Sequence, residues 1–210
     1  MLIEYLQDRK ELLPELAQLH FAEWGHFRPG QTIEDRIESL ERCAGKATIP
    51  SVIVATAGPE LIGSAMLVPH DMSTRKDLSP WLAGVFVKPS YRRSGIATDL
   101  TKRIEQEAAS LEVPTLYLYT EKESEFYAKR GWEALATCDY QGLEVTIMSK
   151  NLSPNNSLQP TPEPLHGSGH RTSHSGATEL RYCSKSGVLM AKSQFPKTAT
   201  ARRVDVGELK

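Results

Sequence analysis

The residues best suited to chemistry form a short basic turn, Arg92-Arg93-Ser94-Gly95-Ile96-Ala97. A strand-length apolar run ends before it at Pro89, and apolar residues spaced mostly by four follow it on one helical face. The first backbone N–H groups of a helix have no partners within it, and its dipole places partial positive charge there. Gly95 lets a ligand approach that backbone closely. The turn therefore predicts a site for a phosphate-like anion.

The spacing Arg92-x-x-Gly95-x-Ala97 resembles the signature of the GNAT superfamily, the Gcn5-related N-acetyltransferases, which bind the pyrophosphate of acetyl-coenzyme A at this turn. The resemblance implies cofactor contacts on the turn and on the strand before it. The implied contact residues are Val85, Val87, Arg92, Arg93, Ser94, Gly95, Ile96, Ala97 and Thr98. A nucleotide-binding Rossmann fingerprint is a weaker match, because it needs glycine where Arg93 stands.

A second match lies over residues 125–132, after the apolar strand at residues 115–119. Gly131 suits a left-handed residue just past a helix C-terminus. In many members of the family a tyrosine at the position of Tyr127 donates a proton to the departing coenzyme A thiolate, and a phenol is neutral at pH 7. The resemblance therefore implies that Tyr127 is the general acid. Thr120 departs from the family, many of whose members have asparagine seven residues before this tyrosine.

The catalytic base has no comparable signature. Some relatives carry a glutamate on the strand before the turn, whereas residues 81–87 contain no carboxylate or histidine. Among the segments that wall the acceptor site in the family, Glu23 and His26 are favoured, because Trp24 and Phe27 would provide an apolar wall that shifts a pKa. The other candidates are His70, Asp71, Glu121 and Glu123. Deprotonation of the amine through water stays open.

Composition divides the chain into two parts. Residues 1–150 hold 13 of the 15 aromatic residues, whereas residues 151–210 are rich in proline, glycine and serine. The second part has too little apolar surface to offset the entropy of ordering it. We therefore predict a GNAT-like domain over 1–150 and a low-complexity, largely disordered tail over 151–210. His166, His170 and His174 recur in that tail, but the glycines among them disfavour the helix that would align them on a metal, so no metal site is predicted.

The order of apolar runs predicts strand, two helices, three strands, helix, strand, helix and two strands. That order is similar to the GNAT fold, an α/β (α+β) architecture with a mixed, mainly antiparallel central sheet of about seven strands flanked by about four helices. The resemblance also implies that the central strands splay apart. Thr32 and Asp35 predict a capped helix reaching about Cys43, and Pro14 is tolerable only in the first turn of its helix.

The resemblance implies an acetyl-coenzyme A-dependent N-acetyltransferase that acts on a primary amine, preferentially of a small molecule, by direct attack in a ternary complex. A protein or peptide amine, or a catalytically degenerate coenzyme A-binding regulatory module, are the alternatives. Scattered basic residues disfavour a nucleic-acid partner, and no apolar run approaches membrane-spanning length. Three cysteines without paired spacing favour a reducing cytoplasm. A homodimer stays open, and the acceptor amine is not predicted.

Overall fold

A computed structural model describes residues 1–153, so nearly all of the predicted tail, with its three histidines, lies outside the described residues. The described part contains seven strands and four α-helices. The strands are β1 (Leu2–Tyr5), β2 (Ser51–Ala57), β3 (Glu60–Val68), β4 (Trp81–Val87), β5 (Thr115–Thr120), β6 (Glu133–Tyr140) and β7 (Leu143–Asn151). The helices are α1 (Leu13–Trp24), α2 (Ile33–Cys43), α3 (Ile96–Ser110) and α4 (Ser124–Ala128).

The strands form one sheet in the order β1-β2-β3-β4-β5-β7-β6. All neighbours are antiparallel except β4 and β5, which are parallel and share a single register pair, Trp81 with Tyr117. Next to that pair the N–H of Tyr117 donates to the carbonyl of Pro80 over 3.1 Å. The two strands therefore meet only near their N-terminal ends and diverge beyond, which confirms the predicted mixed sheet with splayed central strands.

Helices cover both faces of the sheet. Val52 and Val54 of β2 point to one face, where they pack in the same cluster as Leu16 of α1 and other residues of α1 and α2. Ile53 points to the opposite face, in the same cluster as Leu100 and the other buried residues of α3. The sequence of a strand covered on both faces is a continuous apolar run, because successive side chains alternate between two buried environments.

Two local signals in the sequence are confirmed at helix starts. Thr32 accepts the N–H of Asp35 through its hydroxyl, and the Asp35 carboxylate accepts the N–H of Thr32, so α2 begins with a full capping box. Pro14 lies in the first turn of α1, where its missing N–H costs nothing. Within residues 1–153, none of the helices is both long and apolar enough to cross a membrane.

Candidate active site

A cavity of about 730 Å³ opens where β4 and β5 diverge. Its floor comes from the diverging strands, and its walls come from α1, α2 and the segment before α4. The cavity lining includes His20, Glu23, Arg36, Asp71, Gly84, Val85, Arg92, Glu123 and Tyr127. Residues from distant parts of the sequence meet in this cavity, because the divergence of β4 and β5 exposes the edges of both strands.

A β-bulge interrupts β4 on the cavity wall. The pairing with β3 runs from Ser64 opposite Phe86 to Met66 opposite Ala83, so β4 holds one more residue than its partner here. Gly84 lies in the bulge with φ +56°, a conformation that side chains disfavour, and a Cβ there would meet the sulfur of Met66 at 3.0 Å. The bulge therefore depends on glycine at this position.

The predicted anion site is an open helix N-terminus. Gly95 precedes α3 with φ +91°, and a Cβ built on it has no neighbour within 4 Å. The N–H of Asp99 donates to the carbonyl of Gly95 over 3.1 Å, whereas the N–H groups of Ile96, Ala97 and Thr98 have no acceptor among residues 1–153. Three converging donors at the positive end of a 15-residue helix suit the pyrophosphate of coenzyme A.

The two cationic side chains of the turn differ in their contacts. Arg92 donates from Nε to the carbonyl of Val87 over 3.0 Å, and its Nη2 lies 3.4 Å from a carboxylate oxygen of Glu23. Arg93 is exposed and adopts φ +64°, so two left-handed residues, Arg93 and Gly95, shape the turn. Arg92 therefore ties the end of β4 to α1 and lines the cavity, while Arg93 faces solvent.

The other predicted contact residues could reach a ligand mainly through their backbone. Ile96 is 5% exposed and its side chain packs in the core beneath α3, and Val87 pairs with Gly63 of β3. The hydroxyl of Ser94 donates to the carbonyl of Tyr91. Their assignment to the cofactor stays a prediction.

Tyr127 lies on α4 with its ring against Phe126 and Trp132, at centroid distances of 5.0 and 6.0 Å. Its side chain is 8% exposed, and its hydroxyl forms no hydrogen bond within the part of the chain that the structure describes. Burial, reinforced by the charge of Glu123 and opposed by Arg130, raises the pKa of Tyr127 to about 12. The hydroxyl is therefore protonated at neutral pH.

Two contacts fix α4, and with it Tyr127. The hydroxyl of Thr120 accepts the N–H of Glu123 over 3.1 Å at the turn before the helix, so the residue that departs from the family pattern has a local structural use. Arg130 donates to the hydroxyl of Thr98 over 2.6 Å and stacks its guanidinium 3.5 Å from the ring centroid of Phe126. The helix carrying the tyrosine is thus tied to the first turn of α3.

The two favoured base candidates, Glu23 and His26, lie at the end of α1 and in the turn that follows it. Glu23 lines the cavity but is exposed, and its carboxylate faces Arg92. His26 is exposed and stacks on Phe27 at 3.7 Å, outside the cavity lining. The ring of Trp24 packs against His20 and Phe86. Trp24 and Phe27 both line the cavity, so aromatic residues do stand beside Glu23, but Glu23 and His26 are themselves exposed, and their role as base stays a prediction.

Asp71 is the candidate that the cavity does bury. It follows β3, lines the cavity and is half-buried. Burial raises the pKa of Asp71 to about 6, with Arg28 and Arg36 opposing the shift. A carboxylate with this pKa is largely ionised at pH 7 yet basic enough to accept a proton. Within residues 1–153, no group of three or more histidine, cysteine, aspartate or glutamate side chains could hold a metal ion.

The structure reveals one cluster that the sequence analysis missed. His20 is 1% exposed and lies between Ser64 and Arg36, both within hydrogen-bond distance of its ring nitrogens. Burial, with the charge of Arg36 adding to it, holds the pKa of His20 well below its usual value. The spacing could have found His20, because it follows Leu13 and Leu16 at helical intervals of seven and four residues.

Solved structures of similar fold are acetyltransferases. An aminoglycoside 6'-acetyltransferase type Ii is 23% identical, with a TM-score of 0.59 over 73% of this chain and 99% of that chain. An aminoglycoside 6'-N-acetyltransferase complexed with coenzyme A is 21% identical, with a TM-score of 0.60 over 73% and 98%. A ribosomal-protein-alanine N-acetyltransferase from Brucella melitensis is 20% identical, with a TM-score of 0.56 over 72% and 99%. No curated protein sequence matches the chain.

A family model confirms the resemblance read from the basic turn. The model of the acetyltransferase (GNAT) domain matches residues 9–135, from the segment before α1 into β6. The matched region contains the turn before α3, the bulge of β4 and Tyr127. This chain is therefore an acyltransferase that belongs to the GNAT acetyltransferase family, whose acyl donor is acetyl-coenzyme A.

Proposed function

We propose that this chain acetylates a primary amine of a small molecule, by direct attack of the amine on acetyl-coenzyme A in a ternary complex. The observation that carries the proposal is the shared cavity of Tyr127 and the β4 bulge. The Tyr127 hydroxyl is protonated and unbonded among residues 1–153, so it is available as a proton donor. The bulge brings backbone of Gly84 and Val85 to the same space.

In this proposal, different elements around the cavity have different roles in the reaction. The N–H groups at the start of α3 bind the pyrophosphate, which leaves the acyl group to lie along the free edge of β4. Backbone donors at the bulge stabilise the negative charge that develops on the carbonyl oxygen, because they are oriented before the reaction begins. Tyr127 protonates the leaving thiolate. This division requires no covalent enzyme intermediate.

The acceptor side of the cavity favours a small cationic amine. Its volume of about 730 Å³ lies in the range of small-molecule sites. Asp71 and Glu123 line it without a salt-bridge partner among residues 1–153, and carboxylates of this kind attract an ammonium group. The two aminoglycoside enzymes of similar fold support an aminosugar amine. The ribosomal-protein-alanine enzyme of similar fold supports a protein N-terminal amine as the second candidate.

Asp71 is the base in this proposal, either directly or through one water molecule. Below pH 6 the carboxyl becomes protonated and can no longer accept a proton, so kcat/KM is expected to fall as the pH drops through about 6. Asp71→Asn should lower kcat by about a hundredfold and remove this inflection, because general base catalysis contributes on this scale. The measurement is kcat/KM between pH 5 and 9.

Asp77→Asn is the matched control for Asp71→Asn. Asp77 lies in the same loop, is exposed, and pairs with Arg75 over 2.8 Å outside the cavity lining. The control makes the same change of charge and should keep both the rate and the inflection. An inflection near pH 6 that persists in Asp71→Asn would assign the base to another group.

The test of the function is a panel of amines with detection of released coenzyme A. The panel contains aminosugars, polyamines and peptides with a free N-terminal alanine. Turnover with a small amine supports the proposal, and turnover with the peptides alone replaces it by the second candidate. Tight binding of acetyl-coenzyme A with no turnover on any amine would leave a coenzyme A-binding regulatory module.

A further inference from the structure

Two buried side chains, His20 and Ser64, and the half-buried side chain of Arg36 form a continuous hydrogen-bond chain that ends on the β4 bulge. A guanidinium nitrogen of Arg36 contacts Nδ1 of His20, and Nε2 of His20 lies 2.7 Å from the hydroxyl of Ser64. That hydroxyl lies 3.2 Å from the carbonyl oxygen of Gly84. These hydrogen bonds thus connect α2 through α1 and β3 to the bulge of β4 on the cavity wall.

The direction of each of these hydrogen bonds follows from the chemistry of the Arg36 guanidinium. A guanidinium has only donors, so Nδ1 of His20 must accept, and the proton of the neutral ring must lie on Nε2. Nε2–H therefore donates to Ser64, whose own proton is left to donate to the carbonyl of Gly84. Arg36 thus determines the tautomer of His20 and, through it, the orientation of the Ser64 hydroxyl.

The last bond fixes the orientation of the peptide unit between Gly84 and Val85. This peptide is trans, so its carbonyl and its N–H point in opposite directions. The carbonyl is held toward Ser64, and the N–H of Val85 consequently faces away from Ser64. Val85 has no register partner on β3 or β5, and it lines the cavity. A flexible glycine in the bulge would otherwise let this peptide rotate.

We propose that His20 is a positioning residue for acetyl transfer: with Arg36 and Ser64, it locks the Gly84–Val85 peptide so that the N–H of Val85 is directed at the carbonyl oxygen of the bound thioester. This inference rests on the proposed function. Ser64 is fully buried and does not line the cavity, so it does not touch a bound substrate itself, and its hydroxyl contacts the carbonyl of Gly84 on the cavity wall. The edges of Trp24 and Phe86 hold the His20 ring at centroid distances of 4.9 and 6.1 Å.

Kinetics of Ser64→Ala provide the first test. Removing one hydroxyl frees the carbonyl of Gly84, and kcat should fall about tenfold, since a misdirected oxyanion donor costs at least that much. The KM for acetyl-coenzyme A should stay within about twofold, because the α3 N-terminus is untouched. Ser51→Ala is the matched control: Ser51 lies on β2, is equally buried, and donates over 2.6 Å to Glu107 of α3, with no contact to the bulge. It should keep the wild-type kcat.

A second pair of variants separates positioning from mere filling of space. His20→Gln keeps an N–H that can reach Ser64, so its kcat should stay within about threefold of the wild-type value. His20→Met fills a similar volume without a hydrogen-bond donor, so its kcat should fall as far as that of Ser64→Ala. Equal kcat in the two variants would overturn the role of His20. So would a Ser64→Ala enzyme whose kcat equals that of the Ser51→Ala control.

Nitrogen NMR provides a readout that does not depend on turnover. In the wild-type protein at pH 7, His20 should show the neutral ring with its proton on Nε2, and Ser64→Ala should shift the Val85 amide resonance while Ser51→Ala leaves it in place. A proton on Nδ1, or an unchanged Val85 amide in Ser64→Ala, would overturn the inference. A wild-type protein without turnover on any amine would refute the proposed function, and the NMR result would still decide the arrangement of the peptide.

Discussion

Gly95→Glu is expected to abolish binding of coenzyme A while the protein stays folded. The introduced carboxylate would lie beside the N–H groups of Ile96 and Ala97 and could accept hydrogen bonds from them in place of the ligand. Its negative charge would also repel the pyrophosphate. We expect the Kd to rise at least about a hundredfold, which corresponds to about 2.7 kcal/mol. Isothermal titration with coenzyme A measures this directly.

The effect of the substitution on folding stability can be measured separately from its effect on binding. Because φ is +91°, any side chain at this position is strained, by about 1–3 kcal/mol. Gly142→Glu is the matched control, since Gly142 also has a positive φ, of +80°, and no neighbour within 4 Å, but lies between β6 and β7. The control should lose comparable stability and keep its affinity. Tight binding of coenzyme A by Gly95→Glu would refute the anion site.

Tyr127→Phe is expected to lower kcat by a factor of about 10²–10⁴, the range that general acid–base catalysis contributes. The ring packing against Phe126 and Trp132 is preserved, because only the hydroxyl is removed. That hydroxyl has no hydrogen bond among residues 1–153, so its loss should not destabilise the fold. The affinity for acetyl-coenzyme A should therefore change little, and the whole effect should lie in kcat.

Tyr5→Phe is the control for Tyr127→Phe. Tyr5 also carries a phenol, which accepts a hydrogen bond from Arg103 over 2.7 Å, but it lies on β1 away from the cavity lining. Its loss should affect stability and leave kcat unchanged. An unchanged kcat in Tyr127→Phe would remove Tyr127 as the acid and leave protonation of the thiolate to solvent.

The sequence predicts the fold well because its strongest signals are local. A strand buried on both faces, such as β2, produces an unbroken apolar run, and the capping box of Thr32 and Asp35 fixes the start of α2 within a few residues. The ends of strands are harder to predict: β6 extends to Tyr140 because pairing with β7, rather than the residues themselves, decides where it stops.

The candidate site is only half predictable from the sequence. The half that would bind acetyl-coenzyme A depends on the turn at residues 92–97 and on Tyr127, and both lie in segments whose residue spacing resembles the family signature. The acceptor half is assembled from α1, α2 and the loop after β3, so its geometry depends on packing. His20 illustrates the limit: it lies on the buried face of α1, but its contacts with Arg36 of α2 and Ser64 of β3 appear only when the helices pack on the sheet. The glycine within the apolar run of β4 is the one local sign of the bulge that a sequence reader could use.

We propose that an acetyl group is transferred to an amine in the cavity between β4 and β5. The most direct measurement mixes the purified chain with acetyl-coenzyme A and one amine at a time, and follows both free thiol and the mass of the amine. We expect thiol release to depend on the amine and to match, mole for mole, the appearance of the N-acetylated product. Thiol release that is equal with and without every amine, or no release despite tight binding, would contradict it.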